Sequence, residues 1–137
     1  MFKVDLNCLE KIAPTDLARF SMLAKITFKK IKAKPFSISV AFVSPAIIAK
    51  TNKVYRGKNK ATDVLSFLEL NEILICPAVA KIQASKAKHS LKLELETLFV
   101  HGLLHLLGYD DTTPKQLKQM EDLACLIIAE GDKRSRK

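Results

Sequence analysis

Four short stretches of the chain carry the residue patterns of β-strands. The first alternates hydrophobic with polar residues, whereas the second is rich in β-branched and aromatic residues, which is typical of a buried strand. The last two stretches are close enough in sequence to pair as a hairpin. The predicted strands cover residues 2–9, 36–43, 64–68 and 72–76.

Hydrophobic residues recur with a helical period in the segments that separate and follow these strands. Four predicted helices begin with a proline, which suits the first helical position because no backbone partner is lost there. Ser44 is a predicted N-cap, and Thr113 and Gln116 have the spacing of a capping box. The predicted helices cover residues 14–31, 45–55, 77–87, 91–107 and 114–130. A charged tail, residues 131–137, is expected to fray.

The alternation of helices with strands predicts an α/β domain in which helices are layered on a sheet. The chain has 137 residues, 48% of them hydrophobic and 27% charged, so we expect one globular domain over residues 1–137. No hydrophobic run is long enough to span a membrane, and the N-terminal residues lack the pattern of a secretion signal. We therefore expect a cytoplasmic protein without a membrane partner.

The cysteines support the same compartment. Cys8, Cys76 and Cys125 are odd in number, far apart and in no C-x-x-C pair. This usage is typical of reduced thiols in the cytoplasm, and we expect these side chains to be mostly buried.

Charge is distributed unevenly along the chain, whose net charge is +9. Residues 1–60 hold 13 basic and 3 acidic residues, whereas residues 61–130 hold 6 basic and 10 acidic ones. This asymmetry favours a protein that binds a polyanion with one part and processes it at another. The alternative is that the lysines only keep the surface soluble.

The motif with the most specific chemistry is a histidine pair on the fourth predicted helix. His101 and His105 are four residues apart, so both imidazoles lie on one helix face and can reach one cation. Gly108 is expected to take the left-handed conformation that ends the helix, after which Asp110 or Asp111 could supply an oxygen ligand. Two imidazoles and a carboxylate leave a position for water, as in catalytic zinc sites. The alternative is a pair of ordinary core histidines.

Gly102, between the two histidines, bears on both packing and chemistry. Glycine within a helix costs about 1 kcal/mol relative to alanine, so we expect another element or a substrate to approach closely there. The same position holds the general base of an H-E-x-x-H metalloprotease. A metalloprotease-like hydrolase therefore remains only as an alternative function.

Two segments read together resemble the YbeY family of bacterial rRNA-maturation endoribonucleases. They are residues 52–67, NKVYRGKNKATDVLSF, and residues 101–111, HGLLHLLGYDD; Met120 and Glu121 in the last helix also fit. The resemblance implies an α/β fold with a small mixed sheet of about four strands packed with four to five helices. It also implies one Zn²⁺ per chain, cleavage of single-stranded RNA in rRNA processing and ribosome quality control, and ribosomal subunits as partners.

The resemblance also suggests roles for particular residues. His101 and His105 would be catalytic metal ligands, and Arg56 would bind the reacting phosphate, since a guanidinium binds phosphate through two donors. The alternative for Arg56 is a surface residue at the end of the preceding helix. Lys53, Lys58 and Lys60 would bind the RNA backbone together with Arg56.

The chain departs from the family pattern at two places. Asp111 stands where the family has a third histidine, so we expect Asp111 to be the third ligand and another divalent ion to be acceptable. If Asp111 marks a decayed site, the protein is instead a non-catalytic RNA-binding or ribosome-binding protein. Asn71 and Glu72 stand where Gly-Asp is expected, and asparagine can also take a positive φ.

Overall fold

Four strands form a single mixed sheet in the computed structural model, which describes residues 2–8 and 17–135. They are β1 (Val4–Cys8), β2 (Ile38–Phe42), β3 (Val64–Phe67) and β4 (Glu72–Ile75), in the spatial order β1-β2-β4-β3. β1 and β4 both run parallel to β2, whereas β3 runs antiparallel to β4. The predicted hairpin and the predicted mixed sheet are confirmed.

Five helices surround the sheet within the same described ranges. They are α1 (Leu17–Lys30), α2 (Pro45–Arg56), α3 (Pro77–Ala87), α4 (Leu91–Leu106) and α5 (Pro114–Ser135). The α/β fold class is confirmed, and α2, α3 and α4 lie within one residue of their predicted ends. Pro14, the predicted start of the first helix, lies outside the described residues.

The predicted capping groups start their helices as expected. The Ser44 hydroxyl accepts a hydrogen bond of 3.2 Å from the Ile47 amide at the start of α2. At the start of α5, the Gln116 amide donates to the Thr113 hydroxyl, and the Thr113 amide donates to the Gln116 side-chain oxygen, both at 3.1 Å. These reciprocal bonds satisfy two amides that have no partner within the helix.

The β3–β4 turn accommodates the sequence departure at Asn71. Asn71 has a φ of +48°, a left-handed conformation that asparagine tolerates better than most residues. The expectation that this turn survives without glycine is therefore confirmed.

Helices cover both faces of the sheet. The larger core contains side chains of α1, α4 and α5 together with alternate residues of β2 and β4, such as Val40 and Ile73. A smaller cluster contains Ile48 of α2 with Leu65 and Leu74. Since neighbouring strand residues face opposite sides, α1, α4 and α5 lie on one face of the sheet and α2 on the other.

The C-terminal segment corrects one prediction. The last helix was expected to end near residue 130 and to fray from Gly131, but α5 continues to Ser135. Arg19 of α1 donates hydrogen bonds to Asp132 at 2.6 Å and to Ser135 at 3.1 Å, and Gly131 is buried between the two helices. The local sequence does not show these partners, because Arg19 is more than a hundred residues away.

The same arginine joins α1 to α4. Its guanidinium donates two hydrogen bonds, of 3.1 and 3.0 Å, to the carboxylate of Glu96. The Arg19 and Glu96 side chains are only 8% and 3% exposed. Burial by itself would lower the pKa of Arg19, but the hydrogen bonds that it donates to Glu96 and Asp132 raise this pKa above its ordinary value. The charged group is thus held by α4 and α5 together.

The expectation that the cysteines are mostly buried has a mixed outcome in the described residues. Cys76 is buried, but Cys125 is exposed, and both are free thiols; Cys125 lies on the outer side of α5. None of the helices in the described ranges combines the length and apolar character needed to cross a bilayer.

The buried ion pair generates a stability prediction. Arg19→Met should lower the free energy of unfolding by about 3 kcal/mol, because it leaves the Glu96 carboxylate buried without its guanidinium. Asp132→Asn is the matched control and should cost less than about 1 kcal/mol, since the Asp132 side chain is 55% exposed. Urea denaturation of both variants measures the difference. Equal, small losses would show that Glu96 does not depend on Arg19.

Candidate active site

The histidine pair lies where α4 packs closely on the sheet. A Cβ atom at Gly102 would lie 2.9 Å from the Ile73 Cγ2 atom and 3.1 Å from the Ser66 hydroxyl. That hydroxyl donates a 3.1 Å hydrogen bond to the Gly102 carbonyl. The expected close approach of another element at Gly102 is therefore confirmed, and the element is the β3–β4 hairpin.

His105 is oriented by the backbone that follows α4. Its Nδ1 atom lies 3.1 Å from the Tyr109 carbonyl oxygen, and since a carbonyl can only accept, Nδ1 carries the proton. In a neutral imidazole this leaves the lone pair on Nε2, and Nε2 is the atom that lies 3.6 Å from a carboxylate oxygen of Asp111. Gly108, with a φ of +98°, permits the turn that brings Tyr109 and Asp111 back towards the helix, as predicted.

His101 lies deeper and carries an unsatisfied nitrogen. Its Nε2 atom is buried and has no hydrogen-bond partner in the described structure. Burial lowers the pKa of the His101 imidazole, with His105 acting in the same direction and the Glu121 carboxylate opposing it. Buried polar atoms normally have partners because desolvation is costly. A neutral imidazole with a free nitrogen is suited to binding a cation.

A cleft of about 540 Å³ lies beside His105. It is lined by residues 62–66, which include the first three residues of β3, an edge strand that pairs only with β4 in the described sheet. Arg56 borders the cleft from α2, and the turn at residues 108–111 borders it from the end of α4. The cleft thus joins the two sequence motifs.

Of the predicted site residues, Arg56, His105 and Asp111 line this cleft. His101 is one helical turn from His105 on α4. Three predicted RNA-binding lysines do not line the cleft but are exposed beside it, in the last turn of α2 and the following loop: Lys53, Lys58 and Lys60.

Sequence reasoning missed three residues that shape the site. Asn52 is 1% exposed and donates a 3.1 Å hydrogen bond to the Lys60 carbonyl, which fastens the basic loop (residues 56–63) to α2. Tyr109 contributes a backbone carbonyl, for which no side-chain pattern exists. Glu121 influences His101 from α5; the resemblance to the family included Glu121 but gave it no role.

A family model described as Endoribonuclease YbeY matches residues 7–131. The chain belongs to the YbeY family. Relatives described as Endoribonuclease YbeY include one from Staphylococcus saprophyticus, 37% identical over 139 residues that cover 88% of this chain and 90% of the relative. Another, from Acholeplasma laidlawii, is 40% identical over 112 residues, covering 77% and 81%.

The fold is also similar to that of a solved protein. The solution structure of a Thermotoga maritima protein superposes with a TM-score of 0.66 and 26% sequence identity, covering 99% of this chain and 92% of the other. The arrangement of helices and sheet in this YbeY-family chain therefore occurs in an experimental structure.

The donors in this YbeY-family site fit a metal in their chemistry. Within the described ranges, no three His, Cys, Asp or Glu side chains are already grouped closely enough to hold an ion. The His101 Nε2 atom nevertheless has no hydrogen-bond partner, the His105 Nε2 atom lies 3.6 Å from an Asp111 carboxylate oxygen, and the Asp111 side chain is half exposed.

Asp110 is less suited than Asp111 to be a ligand. One Asp110 carboxylate oxygen accepts a 2.7 Å hydrogen bond from the Asp111 amide. A hydrogen bond from Thr112 holds the pKa of Asp110 below its usual value. Asp110 is therefore engaged in the turn itself, which favours the predicted assignment of Asp111.

Gly102→Ala tests the packing that places the histidines. Helix propensity alone would stabilise the variant by up to about 1 kcal/mol, whereas overpacking against Ile73 should cost about 1–3 kcal/mol. We expect a net loss in the free energy of unfolding, measured by urea denaturation. A gain in stability would contradict the close approach of α4 to the sheet.

Proposed function

We propose that this protein is a metal-dependent endoribonuclease that cleaves single-stranded RNA in rRNA processing and ribosome maturation or quality control. The observation that carries the proposal is the cleft that Arg56 of α2 lines together with His105 and Asp111. Family membership supports RNA cleavage, because the relatives are described as endoribonucleases. The single-strand preference and the rRNA context follow from the resemblance to the family.

Arg56 is placed to bind the reacting phosphate. It is the last residue of α2 and is exposed at the border of the cleft. A guanidinium has several donors in one plane, so it can bind two phosphate oxygens and neutralise the charge that develops during cleavage. In this proposal, Arg56 stabilises the transition state rather than only the bound substrate.

His101, His105 and Asp111 would hold about one divalent ion, Zn²⁺ or a harder metal. When bound, the ion supplies Lewis acidity that activates water and polarises a phosphoryl oxygen. The hydrogen bond from His105 Nδ1 to the Tyr109 carbonyl orients the ring and keeps Nε2 available. Asp111 makes the donor set harder and one charge more negative than three histidines, which widens the range of suitable metals.

The surface beside the cleft is suited to an RNA backbone. Lys53, Lys58 and Lys60 are exposed around the basic loop, and residues 53–60 contain no acidic residue. Such contacts bind phosphates without reading sequence. We propose cytoplasmic RNA, in particular rRNA on ribosomal subunits, as the partner.

The packing at Gly102 weighs against the protease alternative. A glutamate general base at this position would have to fit where even a Cβ atom would lie 2.9 Å from Ile73. The histidine face of α4 therefore lacks the proton acceptor of an H-E-x-x-H enzyme.

Metal analysis tests the ligand set. Purified wild-type protein should bind about one divalent ion per chain, whereas the His101→Ala/His105→Ala double variant should bind none. Asp111→Ala should lower the affinity, Asp110→Ala is the matched control with a smaller effect, and Asp111→His should favour zinc over magnesium or manganese. Zinc titration and elemental analysis measure these changes. Equal metal content in the wild type and the double variant would refute the site.

Cleavage kinetics test the role of Arg56. Arg56→Lys keeps the charge but loses the paired donors, so we expect kcat on a single-stranded oligoribonucleotide to fall about tenfold or more with little change in affinity. Lys53→Gln is the control and should weaken binding and its salt dependence while leaving kcat unchanged.

The same assay separates the functions. Cleavage by extensively purified protein should disappear with a chelator and in His101→Ala. Tight, salt-dependent RNA binding without any cleavage would instead identify a non-catalytic RNA-binding protein. Unchanged turnover in Arg56→Lys would reduce Arg56 to a residue that only positions phosphate.

A further inference from the structure

An exposed aromatic pair lies beside the cleft. The rings of Tyr55 on α2 and Phe67 on β3 have centroids 4.8 Å apart and planes inclined by 62°. Phe67 is partly buried against the smaller hydrophobic cluster, whereas Tyr55 is 64% exposed. An inclined contact supports a ring without stacking over its face. Tyr55 is therefore a supported ring with much of its surface in solvent.

Tyr55 and Phe67 are sequence neighbours of residues that line the cleft. Tyr55 directly precedes Arg56, and Phe67 lies between Ser66 and Leu68, all three of which line the cleft. Since β3 is an edge strand, an extended ligand in the cleft can pass along this edge and reach the α2 face of the sheet. The aromatic pair lies on that face.

The surrounding charge identifies the kind of ligand. Tyr55 lies between Lys53 and Arg56. All four charged residues of the segment 53–60 are basic. Proteins that bind single-stranded nucleic acids combine this arrangement of cations along the backbone with an aromatic ring on which a base stacks. Leu68, 60% exposed and also lining the cleft, extends the apolar surface available to a base.

We propose that Tyr55, supported by Phe67, is a stacking platform for one unpaired nucleobase of the RNA whose phosphate is held in the cleft. This inference rests on the proposed function for the identity of the ligand as RNA. The inference adds a base-binding subsite beside the phosphate. A base can stack on Tyr55 only if it is unpaired and has left the stack of a duplex. The platform thus gives a physical basis for selecting single-stranded substrates, and because every base has an aromatic face it tolerates different sequences.

Binding measurements test the platform without relying on turnover. The probe is a single-stranded oligoribonucleotide of about ten nucleotides, labelled at one end and titrated with full-length protein in the presence of a chelator to prevent cleavage. Tyr55→Ala should raise Kd about tenfold, whereas Tyr55→Phe should retain the wild-type affinity because the ring is kept. Val54→Ala is the matched control: Val54 is adjacent on α2 and 72% exposed, and its loss should leave Kd unchanged.

A second probe locates the stacked base. Replacing one base at a time by an abasic residue should weaken wild-type binding most at a single position. At that position, Tyr55→Ala should cause no further loss, since the partner of the ring is already absent. In addition, 2-aminopurine at that position should be quenched by the wild type and by Tyr55→Phe but not by Tyr55→Ala.

The outcomes separate the inference from the proposed function. If the wild type binds the probe with strong salt dependence but Tyr55→Ala binds equally well, the platform is wrong and the proposed function stands. If the wild type does not bind single-stranded RNA at all, both proposals fail. Circular dichroism of Tyr55→Ala verifies that lost binding is not lost folding.

Discussion

The contact between α4 and the β3–β4 hairpin at Gly102 is the constraint on which the candidate site depends. The helix backbone comes so close to Ile73 and Ser66 that a side chain at position 102 would have to displace one of them. This approach places His105 at the border of a cleft that the start of β3 also lines. A shift of a few tenths of an ångström would move both histidines relative to Arg56, which α2 holds from the other face of the sheet.

The first half of α4 is held by charge as well as by packing, since Leu95 is fully buried in the core. Glu96, two turns before Gly102, receives both arms of the Arg19 guanidinium, and Asp132 shares the same arginine. Three helices therefore meet at one partly buried polar cluster, while the sheet holds the other end of α4. The Arg19–Glu96 ion pair restrains the first half of α4, and the packing of Gly102 on the sheet restrains the second half. Rotation of α4 about its axis would break both contacts.

Much of the fold could be predicted from the sequence because its signals are local. Ser44, Thr113 and Gln116 cap their helices through hydrogen bonds between residues only three positions apart. Asn71 adopts the positive φ that its turn requires, a conformation that asparagine tolerates. The extent of α5 could not be predicted in this way, because its last turn depends on Arg19 from the first helix.

The candidate site, too, has features that depend on local sequence and features that depend on the tertiary fold. The spacing of His101 and His105 and the turn at Gly108 are local, so the sequence predicts them. The encounter of Arg56 with that motif across a cleft requires the tertiary fold, and only the resemblance to the family suggested it. The carbonyl of Tyr109, which selects the tautomer of His105, carries no sequence signal because every residue has a carbonyl.

The position of β3 at the edge of the sheet also matters for self-association. An open strand edge offers unpaired backbone groups to any other extended chain, and such edges are common starting points of aggregation. Here residues of the edge strand line a cleft that Arg56, Asp110 and Asp111 also line. Charged side chains beside an open strand edge disfavour the addition of another strand, so the residues proposed to bind substrate and metal would also protect the β3 edge of the sheet.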